Sequence, residues 1–196
     1  MPRRSYHHGN LREALLQGAV RVIAELGPAA FTLREVARRA GVSHNAPYRH
    51  FRDKDALLAA VAAQGFRELS RAMRKAGEQQ SKALDKLKQS GLAYVAFALR
   101  RPEHFSVMFD APVLRCKDPE YVQASQEAFD TLVIYIRKSQ EEAQLPAGNT
   151  LERALSAWSL VHGIAKLAIA GRFPFRTKAS MLKFAKFAID ESVPGG

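Results

Sequence analysis

Residues 31–58 read FTLREVARRAGVSHNAPYRHFRDKDALL, and this stretch decides the fold. Thr32 and Glu35 form a capping-box pattern that predicts the start of a short helix over residues 33–39. Gly41 then permits a tight turn, because glycine adopts positive φ without steric cost. The apolar residues around this turn are Val36, Ala37, Ala40 and Val42. The pattern predicts a helix-turn-helix, a motif whose second helix enters the major groove of DNA.

The segment after the turn, SHNAPYRHF at residues 43–51, gathers hydrogen-bond donors but contains a proline. Ser43 is one candidate N-cap for a third short helix, and Pro47 would then forfeit one intrahelical hydrogen bond. A cap at Asn45 would instead place Pro47 in the first turn, where the missing N–H costs little. Both positions stay open at this point. Asp53 is expected to cap a fourth, longer helix.

The charge is unevenly distributed along the 196 residues. The net charge is +11, and residues 1–75 hold 14 Lys and Arg against 6 Asp and Glu, a net charge of +8. A basic end beside a nearly neutral remainder indicates a module that meets a polyanion, either nucleic acid or an anionic membrane surface. Arg38 and Arg39 are expected to be solvated charges rather than ligands of that polyanion.

The single cysteine, Cys116, excludes a disulfide framework and favours a reducing compartment. It is expected to be an ordinary cysteine, although Arg115 and Lys117 beside it leave a redox role open. No stretch approaches the roughly 20 apolar residues of a membrane span, and no apolar run follows the N-terminal arginines. The sequence therefore predicts a cytoplasmic protein.

The periodicity of apolar residues predicts helices almost everywhere. Asn10 and Glu13 form a capping-box pattern for a first helix that ends near Gly27. Later helices are predicted over 79–100, 102–109, 119–144, 150–170 and 180–192, with prolines at or between their ends. The helix over 150–170 is apolar nearly all round, so several of its sides must be covered.

These residues resemble a known family. Phe31–Leu58 resembles the N-terminal domain of the tetracycline-repressor (TetR) family, and the similarity covers about residues 9–66. The matching positions are Thr32, Gly41, Val42, Tyr48, His50, Phe51, Lys54 and Leu57. Trp158, His162 and Gly163 resemble the Trp-His-Gly signature of one C-terminal subclass of that family.

The resemblance implies an all-α fold with two domains. Residues 1–66 would form a three-helix, helix-turn-helix DNA-binding domain, and residues 67–196 a helical effector-binding and dimerisation domain. The boundary would lie inside the fourth helix or near Gly77. The helices over 150–170 and 180–192 would form a four-helix dimer interface with a second copy of the chain.

The resemblance also implies a DNA-binding set, which consists of Thr32, Arg34, Ser43, His44, Asn45, Ala46, Tyr48, Arg49, His50 and Lys54. Phosphates would be contacted by Thr32, Tyr48, His50 and Lys54. Base edges would be contacted by Arg34 and the segment Ser43–Ala46, with Asn45 pairing with adenine and Ala46 touching a thymine methyl. Arg49 could serve either purpose, and Arg3 and Arg4 would form an arm.

The chain departs from the family pattern just before Tyr48. The two preceding positions are usually a small hydroxyl residue and an aliphatic one, and here they are Ala46 and Pro47. Loss of the hydroxyl removes one polar contact with DNA. Base choice would then rest on His44, Asn45, the Ala46 methyl and Arg49.

A second set is implied for a ligand cavity: Tyr94, Phe97, Phe105, Met108, Phe109, Phe129, Trp158 and His162. A plain apolar core is the alternative for each aromatic residue, and His162 would either bind a ligand or be satisfied within the core. A cavity with this lining predicts a small apolar or aromatic effector.

The sequence thus predicts a ligand-responsive transcriptional regulator that acts as a homodimeric repressor on a palindromic operator in double-stranded DNA. One alternative is a helical enzyme that uses the C-terminal cavity, but no catalytic, metal or cofactor site is evident in the sequence. Another is a membrane-surface protein. The mixed signs on the polar face of the first helix, at Arg12, Glu13 and Arg21, argue against that alternative.

Overall fold

The computed structural model describes residues 11–27, 31–110 and 117–193. In these ranges the chain forms eight α-helices and one 3-10 turn, which confirms the all-α class. The helices are α1 (Leu11–Leu26), α2 (Leu33–Ala40), α3 (Lys54–Glu78), α4 (Ala83–Arg100), α5 (Pro102–Asp110), α6 (Pro119–Glu141), α7 (Thr150–Ile169) and α8 (Lys178–Ser192), and the 3-10 turn is Pro47–Arg49.

The helix ends follow the local signals closely. The Asp53 carboxylate accepts a hydrogen bond from the Ala56 N–H over 2.8 Å, so Asp53 caps α3 as predicted. Thr177 and Ser180 form a reciprocal capping box at the start of α8. The Asn149 side chain accepts from two N–H groups of the first turn of α7. These caps satisfy donors that a helix cannot satisfy internally.

The chain divides into two compact units. Unit 1 consists of the described residues of Met1–Gly65 together with Glu103–Gln123, and unit 2 consists of those of Phe66–Pro102 and Ala124–Gly196. Helix α3 contributes to both units. The predicted domain ranges, 1–66 and 67–196, did not foresee that Glu103–Gln123 belong to unit 1. These domain ranges stay a prediction.

Unit 1 is built on the close packing of α1 against α2. Gly18 makes this possible, because a Cβ at that position would lie 3.2 Å from the Val36 carbonyl oxygen. The Arg12 guanidinium forms an ion pair of 2.9 Å with Glu120 on α6. The core of the unit is formed by buried apolar side chains that include Leu15, Val22, Val36, Ala37, Leu57 and Val61.

Unit 2 is built on α4, which packs against both α7 and α8. Gly91 of α4 lies at this junction, where a Cβ would meet Ile189 and Val161 at 3.4 Å. The buried apolar residues of the unit include Val95, Ala98, Ile136, Ala154, Ala165 and Ala185.

Some predictions lie outside the described residues. These are the arm at Arg3 and Arg4, the Asn10 cap and the assignments for Cys116. Within the described ranges, no helix is both long enough and apolar enough to cross a membrane.

Candidate nucleic-acid interface and effector-binding residues

The turn after α2 has the geometry that its glycine predicts. Gly41 has φ 68° and ψ 30°, in the left-handed region, and its N–H donates to the Arg38 carbonyl. The Val42 N–H donates to the Ala37 carbonyl over 3.0 Å. Together these bonds form a Schellman motif, which ends α2 and redirects the chain. Buried Ala37 lies beneath this turn.

The residues that follow correct one expectation. The third helix predicted after Ser43 is a single 3-10 turn, Pro47–Arg49, rather than an α-helix. Pro47 occupies its first position, and the preceding residue, Ala46, makes no side-chain capping bond. Because Pro47 lacks an N–H, the chain cannot form a bond from that residue back to Ser43. The Ala46 N–H bonds the Ser43 carbonyl instead, over 2.9 Å.

The capping box at α2 is also only half formed. The Glu35 N–H donates to the Thr32 hydroxyl oxygen over 3.2 Å, as predicted. The Glu35 carboxylate does not turn back to Thr32. It accepts two hydrogen bonds from Arg38, at 2.8 and 2.6 Å, and one from Arg39 at 2.9 Å. The hydrogen bonds from Arg38, more than the one from Arg39, lower the pKa of Glu35 to about 2.

Nine of the ten predicted DNA-binding side chains are exposed in unit 1. They lie on α2, on the turn-rich segment after it and at the start of α3. Tyr48 is 60% exposed, whereas its neighbour Pro47 is buried. Most of the aromatic ring of Tyr48 is therefore in contact with solvent. Ala46 is the exception, with 9% exposure. Its methyl is largely covered, so the thymine contact predicted for it does not fit this conformation.

The cations of this surface fall into two groups. Arg34, Arg49 and Lys54 form no ion pair with any residue that the structure describes, and all three are exposed. Arg38 and Arg39 are held by carboxylates: both bind Glu35, and Arg39 also binds Glu25. The unpaired cations remain available to phosphates, whereas Arg38 and Arg39 are already neutralised.

The predicted effector residues do not all fall in one unit. Phe105, Met108 and Phe109 belong to unit 1, where the rings of Phe105 and Phe109 lie 4.8 Å apart and Met108 is fully buried. The other five belong to unit 2: Tyr94, Phe97, Phe129, Trp158 and His162.

Four of the residues in unit 2 meet across α4, α6 and α7. The Tyr94 hydroxyl lies 2.8 Å from Nδ1 of His162, and the Trp158 indole N–H donates to the same hydroxyl over 3.3 Å. The ring of Phe129 meets Trp158 edge to face, with 5.9 Å between their centroids. Aromatic pairs favour this arrangement. Burial raises the pKa of Tyr94, so its phenol stays protonated.

Phe97 lies elsewhere in unit 2. It is buried, and it lines an open cleft whose other lining side chains are charged: Glu68, Arg71, Arg100, Arg101 and Lys178. Sequence reasoning missed this cleft, because its members are spread over more than a hundred positions. The adjacent pair Arg100 and Arg101 was the local signal that could have drawn attention to it.

Comparison with known proteins gives two family matches. The family described as bacterial regulatory proteins, tetR family, matches residues 15–61. The family described as tetracyclin repressor-like, C-terminal domain, matches residues 87–191. An HTH-type transcriptional repressor from Mycobacterium tuberculosis is 48% identical over 48 residues. That alignment spans 24% of this chain and 26% of the repressor, so it covers about a quarter of the relative.

Solved structures resemble the chain over almost its whole length. A protein of unknown function from Rhodococcus sp. RHA1 is 33% identical, with a TM-score of 0.82, and the match covers 97% of this chain and 99% of that one. The transcriptional regulator FadR from Bacillus subtilis, solved in complex with stearoyl-CoA, has a TM-score of 0.75 at 16% identity. That match covers 94% of this chain and 98% of FadR, and it shows the fold alone.

Proposed function

The chain belongs to the TetR family of bacterial regulatory proteins, and from this premise we propose that it represses transcription as a homodimer on a palindromic operator. The observation that carries the proposal is the exposed, unpaired set of side chains around the Gly41 turn. Arg34, Arg49 and Lys54 supply positive charge there, and Tyr48 supplies a hydroxyl on an exposed ring. Such groups bind phosphates and base edges.

The contacts divide by chemistry. We assign Thr32, Tyr48, His50 and Lys54 to phosphates, and Arg34, Ser43, His44 and Asn45 to base edges, with Arg49 available for either. A single 3-10 turn offers fewer aligned side chains than a long recognition helix would. Base choice therefore falls to residues on both sides of the turn rather than to one helix face.

A homodimer is supported by an exposed apolar face on α7 and α8. Leu151 and Leu155 lie about one turn apart on α7 and are exposed, and Leu167 is exposed near the C-terminal end of the same helix. Phe187 on α8 is 60% exposed. Burying these side chains against a second copy removes apolar surface from water.

The two-fold axis of such a dimer relates two helix-turn-helix elements. Half-sites about one DNA turn apart, roughly 34–36 Å, are then expected in the operator. A small apolar or aromatic effector would lower operator affinity by favouring a form in which these elements are wrongly spaced. The aromatic group of Tyr94, Phe129 and Trp158 in unit 2 is our candidate for apolar contacts with it, and we place the protein in the cytoplasm with its DNA.

The test is a titration of the full-length protein with labelled DNA duplexes at several salt concentrations. We expect one palindrome to bind far more tightly than a scrambled duplex of the same length, and affinity to fall steeply with salt. Equal affinity for both duplexes would overturn the regulator proposal. Affinity that does not change with salt would overturn the phosphate contacts.

The enzyme alternative has no comparable support. Within the described residues, no three His, Cys, Asp or Glu side chains come close enough to hold a metal ion. Membership of a family of bacterial regulatory proteins supports our proposal that the chain regulates transcription rather than catalyses a reaction, and we assign the paired Tyr94 and His162 a structural or effector-binding role.

A further inference from the structure

Unit 2 carries a cleft of about 550 Å³ whose walls come from three helices. Its volume lies in the range of small-molecule sites. The lining residues are Glu68 and Arg71 of α3, Phe97 and Arg100 of α4, Arg101 directly after α4, and Lys178 of α8.

The charges of the cleft do not cancel. Four cationic side chains face one carboxylate, Glu68, which lies 3.6 Å from the Arg101 guanidinium. The side chains of Arg71, Arg100 and Lys178 form no hydrogen bond or ion pair with another residue in the described part of the chain. Three uncompensated positive charges therefore share one concave surface, where they repel one another.

The same unit neutralises cations elsewhere. Lys88 and Lys186 both bind Asp190, at 3.1 and 2.6 Å. Among the residues that line the cleft, Glu68 is the one carboxylate, and no other acidic side chain that the structure describes binds the remaining cations. Lys178 is moreover the first residue of α8, which has no acidic residue in its first turn, so the positive end of the helix adds to the field.

We propose that this cleft binds a small molecule through a diphosphate or a comparable polyanionic group. A single phosphate monoester carries about −1.5 to −2 charges near pH 7, fewer than the three unpaired cations, so a group with more than one phosphate matches the cleft better. The planar guanidinium groups of Arg71 and Arg100 match phosphate oxygens with two parallel hydrogen bonds each.

Phe97 connects this site to the apolar interior of unit 2. Its ring is 2% exposed, yet it forms part of the cleft wall. A ligand bound here would place its anionic group among the cations. The structure thus adds a charged recognition element to the effector, for which the sequence predicted only apolar contacts.

The experiment is calorimetric titration of the full-length protein with inorganic diphosphate, near neutral pH and without DNA or divalent metal. We expect saturable binding that weakens as salt is added. For the double variant R71Q/R100Q, the dissociation constant for diphosphate should rise at least about tenfold for each charge-assisted hydrogen bond that is removed. The variant R71K/R100K, which keeps both charges, should retain most of the affinity.

The matched control is R137Q, which removes one exposed cation from α6 without touching the cleft. It should leave diphosphate binding unchanged. Wild-type protein that does not bind diphosphate, or equal weakening by R137Q and R71Q/R100Q, would overturn the proposal. Loss of binding in R34Q alone would do the same, because it would place the anion on the helix-turn-helix.

Two further measurements distinguish diphosphate binding from protein stability and from operator binding. Because Arg71 and Arg100 are exposed and their charges repel one another, the thermal midpoint of R71Q/R100Q should be unchanged or slightly raised, which circular dichroism checks. Operator binding measured without diphosphate tests the regulator proposal independently. The cleft proposal can therefore fail while the regulator proposal stands, and the reverse also holds.

Discussion

The Tyr94 hydroxyl on α4 lies 2.8 Å from Nδ1 of His162 on α7, in contact with the Trp158 indole N–H as well. Tyr94 is 4% exposed, and burial raises the pKa of its phenol, so the hydroxyl keeps its proton. The indole can only donate, so the hydroxyl accepts from Trp158, and a second hydrogen bond joins the hydroxyl to Nδ1 of His162.

Removing this hydroxyl should destabilise the protein. Y94F keeps the ring but leaves both Trp158 and His162 without their bond to Tyr94, and we expect a loss of about 1–3 kcal/mol in the free energy of unfolding. Urea unfolding followed by tryptophan fluorescence measures it, because Trp158 is the single tryptophan of the chain.

Y48F is the matched control, because it removes the same hydroxyl from an exposed ring. Its unfolding curve should coincide with that of the wild type. If Y94F and Y48F had equal effects, the buried hydrogen bonds would have no net role in stability.

Gly77 should resist substitution by alanine. Gly77 is the penultimate residue of α3, where the change to alanine would ordinarily stabilise the helix by up to about 1 kcal/mol. A Cβ at Gly77, however, would lie 2.5 Å from the hydroxyl oxygen of Tyr135 and 2.8 Å from its Cζ. The ring must shift, so we expect G77A to destabilise the protein by about 1–3 kcal/mol in urea unfolding.

G163A provides the comparison, since a Cβ there would meet no atom of the protomer within 4 Å. It should leave stability unchanged or raise it by up to about 1 kcal/mol. A stabilising effect of G77A would show that Tyr135 moves away at no cost.

Glu35 should make stability depend on pH at the acid end. Hydrogen bonds from Arg38 and Arg39 lower its pKa to about 2 in the folded protein. A lowered pKa contributes stability above the ordinary value, about 4.3 for an unperturbed glutamate, and the contribution is lost as the pH falls towards 2. E35Q removes it, so the wild type should have the higher thermal midpoint at neutral pH.

The difference in midpoint between wild type and E35Q should shrink through the range from about pH 4.3 to about pH 2. Thermal unfolding at a series of pH values measures it. The same difference at every pH would mean that the carboxylate does not stabilise the fold through its charge.

Tyr48 should contribute to DNA binding and not to stability. Y48A removes an exposed side chain, so the thermal midpoint should stay that of the wild type. Loss of one phosphate contact should weaken operator binding by about tenfold, equally for all sequences. Thermal unfolding measures the midpoint, and fluorescence anisotropy with operator and scrambled duplexes measures the loss of affinity for each sequence.

A fall in thermal stability that matched the fall in affinity would assign Tyr48 to the core instead. A change in preference at one operator position would assign it to base recognition rather than to a phosphate.

The exposed apolar side chains of α7 should help to hold the dimer together. L155E places a charge on this helix, where an unpaired charge buried in an interface is strongly unfavourable. We expect the dissociation constant of the dimer to rise at least about tenfold, as measured by analytical ultracentrifugation. Operator affinity should fall as the dimer dissociates.

I134E is its control, because Ile134 is similarly exposed but lies on α6. It should leave the dimer intact. Dissociation by I134E and not by L155E would move the interface to α6.

Local signals explain why so much of the fold was predictable. Gly41 in the left-handed region, the Asp53 cap and prolines at helix ends act within a few residues, and the structure has each where the sequence predicted it. The 3-10 turn at Pro47 was harder to predict. A proline in a first turn fits either an α-helix or a 3-10 turn, and packing of the neighbouring residues decides between them.

By itself, then, the sequence determined the all-α class, the position of the helix-turn-helix and the family. It did so because turn, cap and periodicity are encoded in residues close along the chain. Tertiary structure decided which side chains meet across helices: it paired Tyr94 with His162, covered Ala46, and brought Arg71, Arg100 and Lys178 to one cleft. These contacts join residues far apart along the chain, whose proximity depends on how whole helices pack.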